Sequence, residues 1–174
     1  MTSHFDLRRY IRDSPDFPQP GILFRDITPL LRDPAAYRQT LDALTDFTAA
    51  RAPSYVAGIE ARGFLFATPV AAQLRLPFVP IRKPDKLPFD KMTVEYTLEY
   101  GTGYLDIHSD AFAAGDRVVV IDDLIATGGT ASAAVQLVEM LGARVAGLAF
   151  VVELSELQGR QRIAGYDSLA LLSL

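Results

Sequence analysis

Two adjacent carboxylates, Asp122 and Asp123, follow a run of β-branched residues from Val118 to Ile121, and Ala126-Thr127-Gly128-Gly129-Thr130 come shortly after. The apolar run suits a strand buried on both faces, whereas two carboxylates cannot remain unpaired inside a sheet. They therefore mark the strand's C-terminal edge. The Ala- and Leu-rich stretch from about Ala131 to Leu141 reads as a helix, which puts Thr-Gly-Gly-Thr at its N-terminus. A helix start offers N–H groups without acceptors and a partial positive charge, and Gly128 and Gly129 let an anion approach the backbone closely. Thr127 and Thr130 add hydroxyl donors. The carboxylates would repel a phosphate, so they must face something else about one sugar away. An ionised carboxylate only accepts hydrogen bonds, and vicinal ribose hydroxyls donate them. The segment reads as a ribose 5-phosphate cradle.

A plainer alternative is an acidic pair that caps a turn, with Gly-Gly as a flexible connection. The succession of strand, acids, Thr-Gly-Gly-Thr and helix favours the phosphate. No Gly-Lys-Ser/Thr is present, which excludes a P-loop, and Gly101-Thr-Gly103 lacks the third glycine of a dinucleotide fingerprint.

Other residues offer chemistry with less definition. Arg62 follows a strand ending near Glu60, and Gly63 opens a helix. That is a second strand-to-helix turn able to bind an anion, or a surface arginine paired with Glu60. Arg82, Lys83 and Lys86 form a cationic cluster, either solvated or placed to neutralise a departing anion. Phe24, between Leu23 and Arg25, reads as core. Glu99 reads as an exposed glutamate on a polar segment.

The elements that position these groups follow from apolar spacing. Helices are predicted near 3–12, 34–50, 63–74, 129–142 and 155–164, and strands near 54–59, 77–81, 92–99, 103–108, 117–122, 145–152 and 168–173. Strands alternating with helices predict an α/β fold, a mostly parallel twisted sheet with helices on both faces. Ligands in such sheets sit beyond the carboxyl ends of the strands, where Asp122 to Thr130 fall. The polar stretch 84–103 reads as a hairpin or flap able to close over a site.

At 174 residues the chain is expected to be one domain. A net charge of −4 argues against a broad nucleic-acid footprint. With no cysteine, disulfides, thiol catalysis and Cys-based zinc sites are excluded, and His4 and His108 are too far apart in sequence to suggest a histidine metal cluster. No run of about 18 apolar residues could span a membrane. The first residues, with Asp6, Arg8 and Arg9, do not read as a secretory signal. A cytoplasmic protein is expected.

The segment from Val119 to Thr130 resembles the phosphoribosyl pyrophosphate (PRPP) signature of the type I phosphoribosyltransferases, and within them the chain is most similar to the adenine phosphoribosyltransferases. Asp16 to Pro29, Glu60 to Phe66, Leu98 to Gly101 and Val152 to Leu154 carry the resemblance over nearly the whole chain. It implies a purine salvage transferase that joins adenine to PRPP, giving AMP and pyrophosphate. Mg²⁺ would travel with the pyrophosphate and have no direct protein ligand.

Carried onto this sequence, Asp122 and Asp123 hold the ribose hydroxyls, and Ala126, Thr127, Gly128, Gly129 and Thr130 hold the 5-phosphate. Arg62, Arg82, Lys83 and Lys86 face the pyrophosphate. The backbone of Leu23 and Arg25 reads the adenine edge, while Phe24 and Leu154 sandwich the ring. Glu99 exchanges a proton near N7 of the purine. Tyr100 packs over the ribose or pyrophosphate, or anchors the hairpin.

The resemblance further implies residues 1–33 as a hood over the base, 82–103 as the catalytic flap, a cis Glu60–Ala61 peptide bond and a homodimer. Where the family has glycine before Lys-Leu-Pro, this chain has Asp85. The rival readings are a transferase for xanthine, guanine or orotate, and a regulator that keeps the PRPP pocket as a sensor.

Overall fold

The computed structural model describes residues 6–97 and 101–174. The chain divides into two compact units, one ending at Ala43 and the other spanning Leu44–Leu174. No helix among the described residues is long and apolar enough to cross a membrane.

In the smaller unit, a 3-10 turn, Leu7–Tyr10, starts where the Asp6 side chain accepts from Arg8 N–H. The helix predicted over 3–12 is, in its described part, only this turn. Ile11 is already extended, and β1 (Arg12–Pro15) pairs antiparallel with β2 (Leu23–Asp26) in a register that sets Asp13 opposite Arg25. Asp13 lies between two arginines, 2.5 Å from Arg25 and 2.6 Å from Arg8. Hydrogen bonding from Arg25 is the largest of the effects that hold its carboxyl below the usual range. A short helix, α1 (Thr28–Arg32), begins where the Asp26 carboxylate accepts from the Thr28 N–H and hydroxyl. Asp33 likewise accepts from Ala35 and Ala36 at the start of α2 (Pro34–Ala49), a side-chain cap of the kind aspartate favours.

The larger unit is built on five parallel strands: β3 (Tyr55–Ile59), β4 (Phe78–Ile81), β7 (Arg117–Ile125), β8 (Arg144–Glu153) and β9 (Ser168–Ser173). Their order is β4-β3-β7-β8-β9. Two helices cover the sheet, α3 (Phe64–Leu74) and α4 (Gly129–Met140). On one face Ala57, Ile59, Val118, Val120, Leu148 and Phe150 pack with Ala134, Leu137 and Val138 of α4. On the other, α3 comes so close that a Cβ on Gly58 would lie 2.7 Å from Ala67 Cβ. Fully burying side chains of this size contributes about 1.5–3 kcal/mol each. This is the predicted α/β sheet.

The predicted flap forms an antiparallel hairpin of β5 (Lys91–Thr97) and β6 (Thr102–His108). Its base belongs to the core, because Val94, Leu105 and Ile107 are buried. Asp106, 1% exposed, accepts from Lys91 Nζ at 2.5 Å and from the Thr93 hydroxyl at 2.6 Å. Its main chain exchanges two hydrogen bonds with Arg82 just past β4. After β8, the helix predicted over 155–164 is instead two 3-10 turns, Ser155–Leu157 and Gly159–Ile163. Gln158 between them is left-handed, with φ 51°, which interrupts any continuous helix.

Candidate active site

The site begins where two neighbours of one strand part company. Pairing of β7 with β3 ends at Gly58 opposite Ile121, while pairing with β8 continues to Ile125 opposite Glu153. That continued pairing is why β7 runs three residues beyond the predicted end at 122. Past Ile121, β3 no longer accompanies the strand, and Asp122 and Asp123 occupy that stretch. A cavity of about 490 Å³ opens there, lined by Arg62, Lys83, Tyr96, both aspartates and the loop from Ala126 to Ala131.

The aspartates are crowded. Asp123 is 3% exposed, and its N–H donates to Asp122 Oδ1 at 2.8 Å. Arg62 Nε lies 2.8 Å from Asp123 Oδ2, yet that oxygen receives no aligned hydrogen bond, so the contact is one of charge more than of directed bonding. Burial raises the proton affinity of both carboxyls. For Asp122 the neighbouring Asp123 charge adds to it, and for Asp123 the Arg62 charge opposes it. Two such groups titrate as a pair. Gly63 makes room for them: a Cβ there would lie 2.8 Å from Asp122 Oδ1 and 2.6 Å from the Ile59 carbonyl oxygen.

The loop after the aspartates matches the predicted phosphate cradle in form. Gly128, at φ 79°, turns the chain into α4. Ser132 N–H donates to Gly128 C=O at 2.9 Å, and the residues that carry the preceding amides line the cavity. Its rear wall went unrecognised in the sequence. A Cβ on Gly128 would lie 2.2 Å from the Gly159 carbonyl oxygen, and a Cβ on Gly159 would lie 2.2 Å from the Ala126 carbonyl oxygen and 2.8 Å from Gly128 N. Two glycines are needed for one backbone to seat against another. The only sequence signal was a glycine inside an apparent helical pattern. Tyr96 was also missed. It lines the cavity, and with Thr97 it packs on Gly129, where a Cβ would lie 2.7 Å from Thr97 O and 3.3 Å from Tyr96 Cδ2.

Of the four cations expected at a pyrophosphate, Arg62 and Lys83 line the cavity. Arg82 is turned to Glu60, with Nε 3.1 Å from Oε2 and Nη2 3.3 Å from Oε1, so Glu60 takes Arg82 as its partner. Burial pushes the Glu60 carboxyl up, but Arg82, the Lys83 N–H and the Lys86 charge together hold it below its usual range. Lys86 offers its carbonyl to Arg82 Nη1 at 3.1 Å. The Glu60–Ala61 peptide bond is cis, as the resemblance implies. Asp85 is left-handed, with φ 62°, a conformation that glycine adopts without strain and that accounts for the family's glycine there.

Leu23, Phe24 and Arg25 lie on β2 of the smaller unit. Leu23 and Arg25, two residues apart on a strand, direct their main-chain groups to the same edge, and the Phe24 ring meets Phe17 edge-on at 5.2 Å. Leu154, in the larger unit, donates its N–H to Ile125 C=O at 2.9 Å, just before the loop from Ala126 to Thr130. Glu99 and Tyr100 lie outside the described residues.

Residues 38–169 match the phosphoribosyl transferase domain family. The chain is 56% identical over 169 residues to an adenine phosphoribosyltransferase of Gloeobacter violaceus, covering 97% of this chain and 99% of that one. It superposes on the crystal structure of adenine phosphoribosyltransferase from Thermoanaerobacter pseudethanolicus with a TM-score of 0.93 at 47% identity, over 97% and 98% of the two chains. It also matches the Trypanosoma brucei adenine phosphoribosyl transferase in complex with AMP, pyrophosphate and ribose-5-phosphate, with a TM-score of 0.90 at 29% identity, over 99% and 80% of the chains.

Two outcomes are expected from this geometry. A methyl group at Gly159 must displace the loop carrying Ala126 and Gly128. Gly159→Ala should therefore weaken ribose 5-phosphate binding by about tenfold or more while costing about 1–3 kcal/mol of stability; calorimetric titration and urea unfolding measure the two.

The raised aspartates give the second. The folded chain holds protons that the unfolded chain has already released, so stability falls as pH rises from the ordinary aspartate value of about 3.9 through the raised native values. Asp122→Asn should therefore melt higher than the parent at pH 7, by roughly 2–4 °C for each kcal/mol relieved. The gain should shrink towards pH 4, and a variant that melts lower at pH 7 would contradict the assignment.

Proposed function

The chain belongs to the adenine phosphoribosyltransferase family, and we infer from that membership and from its cavity that it transfers the 5-phosphoribosyl group of PRPP to adenine, giving AMP and pyrophosphate in purine salvage. The observation that carries this reading is the meeting in one cavity of the buried Asp122–Asp123 pair, the loop that opens α4, and the cations Arg62 and Lys83.

Each group has a physical task. The loop amides and the hydroxyls of Thr127 and Thr130 hold the 5-phosphate at the positive end of α4. Asp122 and Asp123 accept hydrogen bonds from the two ribose hydroxyls, which fixes C1 towards the base. Arg62 and Lys83 stabilise charge as it gathers on the departing pyrophosphate, with Arg82 and Lys86 reinforcing the field from their places around Glu60. Among the described residues, no group of three or more acidic, His or Cys side chains is arranged to hold a metal. By the resemblance, a Mg²⁺ ion would be held mainly by the substrate's own oxygens, and when bound it would offset the pyrophosphate charge.

The resemblance assigns the base to Leu23, Phe24, Arg25 and Leu154. A backbone N–H and C=O present one fixed donor and one fixed acceptor. They complement N1 and the 6-amino group of adenine, and hypoxanthine and guanine reverse both polarities. Sites built on such hydrogen bonds discriminate by about 10⁴–10⁵. Glu99 handles the proton near N7 while C1 becomes cationic, and closure of the 82–103 flap keeps water from the sugar cation. The chain works as one catalytic domain, as a homodimer in the cytoplasm. The resemblance supports the homodimer, and the chain length the single domain.

Pyrophosphate release tests the reading. With Mg²⁺ and PRPP, release is expected with adenine and not with hypoxanthine, guanine, xanthine or orotate. Release with another base would overturn the base assignment, and PRPP binding without release would favour a sensor. In the same assay Glu99→Ala should lose turnover by about 10²-fold or more with little change in PRPP affinity; equal losses in both would remove Glu99 from proton transfer.

A further inference from the structure

We propose that Arg162 supplies the full positive charge that holds the 5-phosphate against the start of α4, and so sets the preference for phosphorylated over unphosphorylated ligands. The inference rests on the reading of Thr127 to Thr130 as the 5-phosphate site. Arg162 belongs to the 3-10 turn Gly159–Ile163, whose first residue backs that loop. Its Nη1 lies 3.6 Å from the point a Cβ on Gly129 would occupy, and Gly129 is the first residue of α4.

The position is electrostatically odd for an arginine. A cation belongs at the negative, C-terminal end of a helix and is repelled at the N-terminal end. No acidic residue occupies the first turn of α4, and none of the ion pairs among the described residues includes Arg162. Arg160, two residues earlier, is by contrast paired with Glu153 at 2.8 Å.

A bound phosphate would turn this repulsion into attraction from both sides. The loop supplies N–H dipoles and hydroxyls but no full charge, and Arg62, the arginine that lines the cavity, is engaged with Asp123. A phosphate monoester carries about −1.5 to −2 near neutral pH. The Arg162 side chain is exposed, so it can rotate onto the phosphate and present its planar fork of donors.

Affinities for AMP and for adenosine, measured by calorimetry at low and moderate salt, test the assignment. The parent should bind AMP more tightly than adenosine. Arg162→Gln should lose about tenfold in AMP affinity, bind adenosine as the parent does, show a flatter salt dependence for AMP, and melt no lower. Arg162→Lys should recover part of the loss. An unchanged AMP-to-adenosine ratio in Arg162→Gln would overturn the proposal, as would equal weakening of both ligands with a lower Tm. A parent that does not distinguish AMP from adenosine would overturn the phosphate-loop reading and this inference with it.

Discussion

Two neighbouring carboxylates at the exit of a buried strand repel each other and resist burial, and the larger unit is arranged around keeping them there. The strand that carries them is fixed by β8 to its last residue, whereas β3 stops earlier and leaves one side open. Gly63 has no side chain where one would strike Asp122. Arg62 offsets part of the charge on Asp123 without giving Oδ2 an aligned hydrogen bond. Burial raises the proton affinity of both carboxyls, and at Asp122 the Asp123 charge adds to it; O–H donors from a ligand would relieve what the protein leaves unsatisfied. In the proposed function, a destabilised pair is a store of affinity for a vicinal diol.

The same economy of space shapes the phosphate end. Gly128 and Gly159 pack backbone to backbone, so the loop from Ala126 to Thr130 is seated on a turn about thirty residues further along the chain. Tyr96 and Thr97, at the end of β5, rest on Gly129 from the hairpin. Beneath them Asp106, with Lys91 and Thr93, ties the hairpin base to the end of β4. The groups proposed to meet the phosphate are thereby held from separate parts of the larger unit. Positioning of this kind lets a site act through orientation and charge with little reorganisation.

Much of this was legible because the residues are consecutive. Val118 to Thr130 spell out strand, acids, loop and helix in order, and Glu60 to Phe66 do the same for the second turn. What escaped depends on tertiary register. Sequence offered Arg62 as the partner of Glu60; the parallel pairing of Ile59 with Ile81 sets Glu60 and Arg82 side by side instead. Gly159 reads as a flaw in a helix until the loop it touches is in place. β1 and β2 were missed because short polar strands lack the alternation that marks a half-buried sheet, and α1, at five residues, is too short to show a helical period. Asp85 stood out in sequence only as a replacement for the family's glycine, and its left-handed backbone shows the position to be a turn constraint.

Proton release on binding ribose 5-phosphate tests the carboxylate pair most directly. Calorimetry in buffers of different ionisation heat, at a pH of about 5.5 between the ordinary aspartate value and neutrality, counts the protons released. Hydroxyls that donate to Asp122 and Asp123 favour the ionised pair. The parent should therefore release more protons than the Asp122→Asn, Asp123→Asn double variant, in which only the phosphate can contribute. Equal release from the two would mean that the ribose hydroxyls do not meet the pair, and that the strain at the end of β7 serves some other purpose.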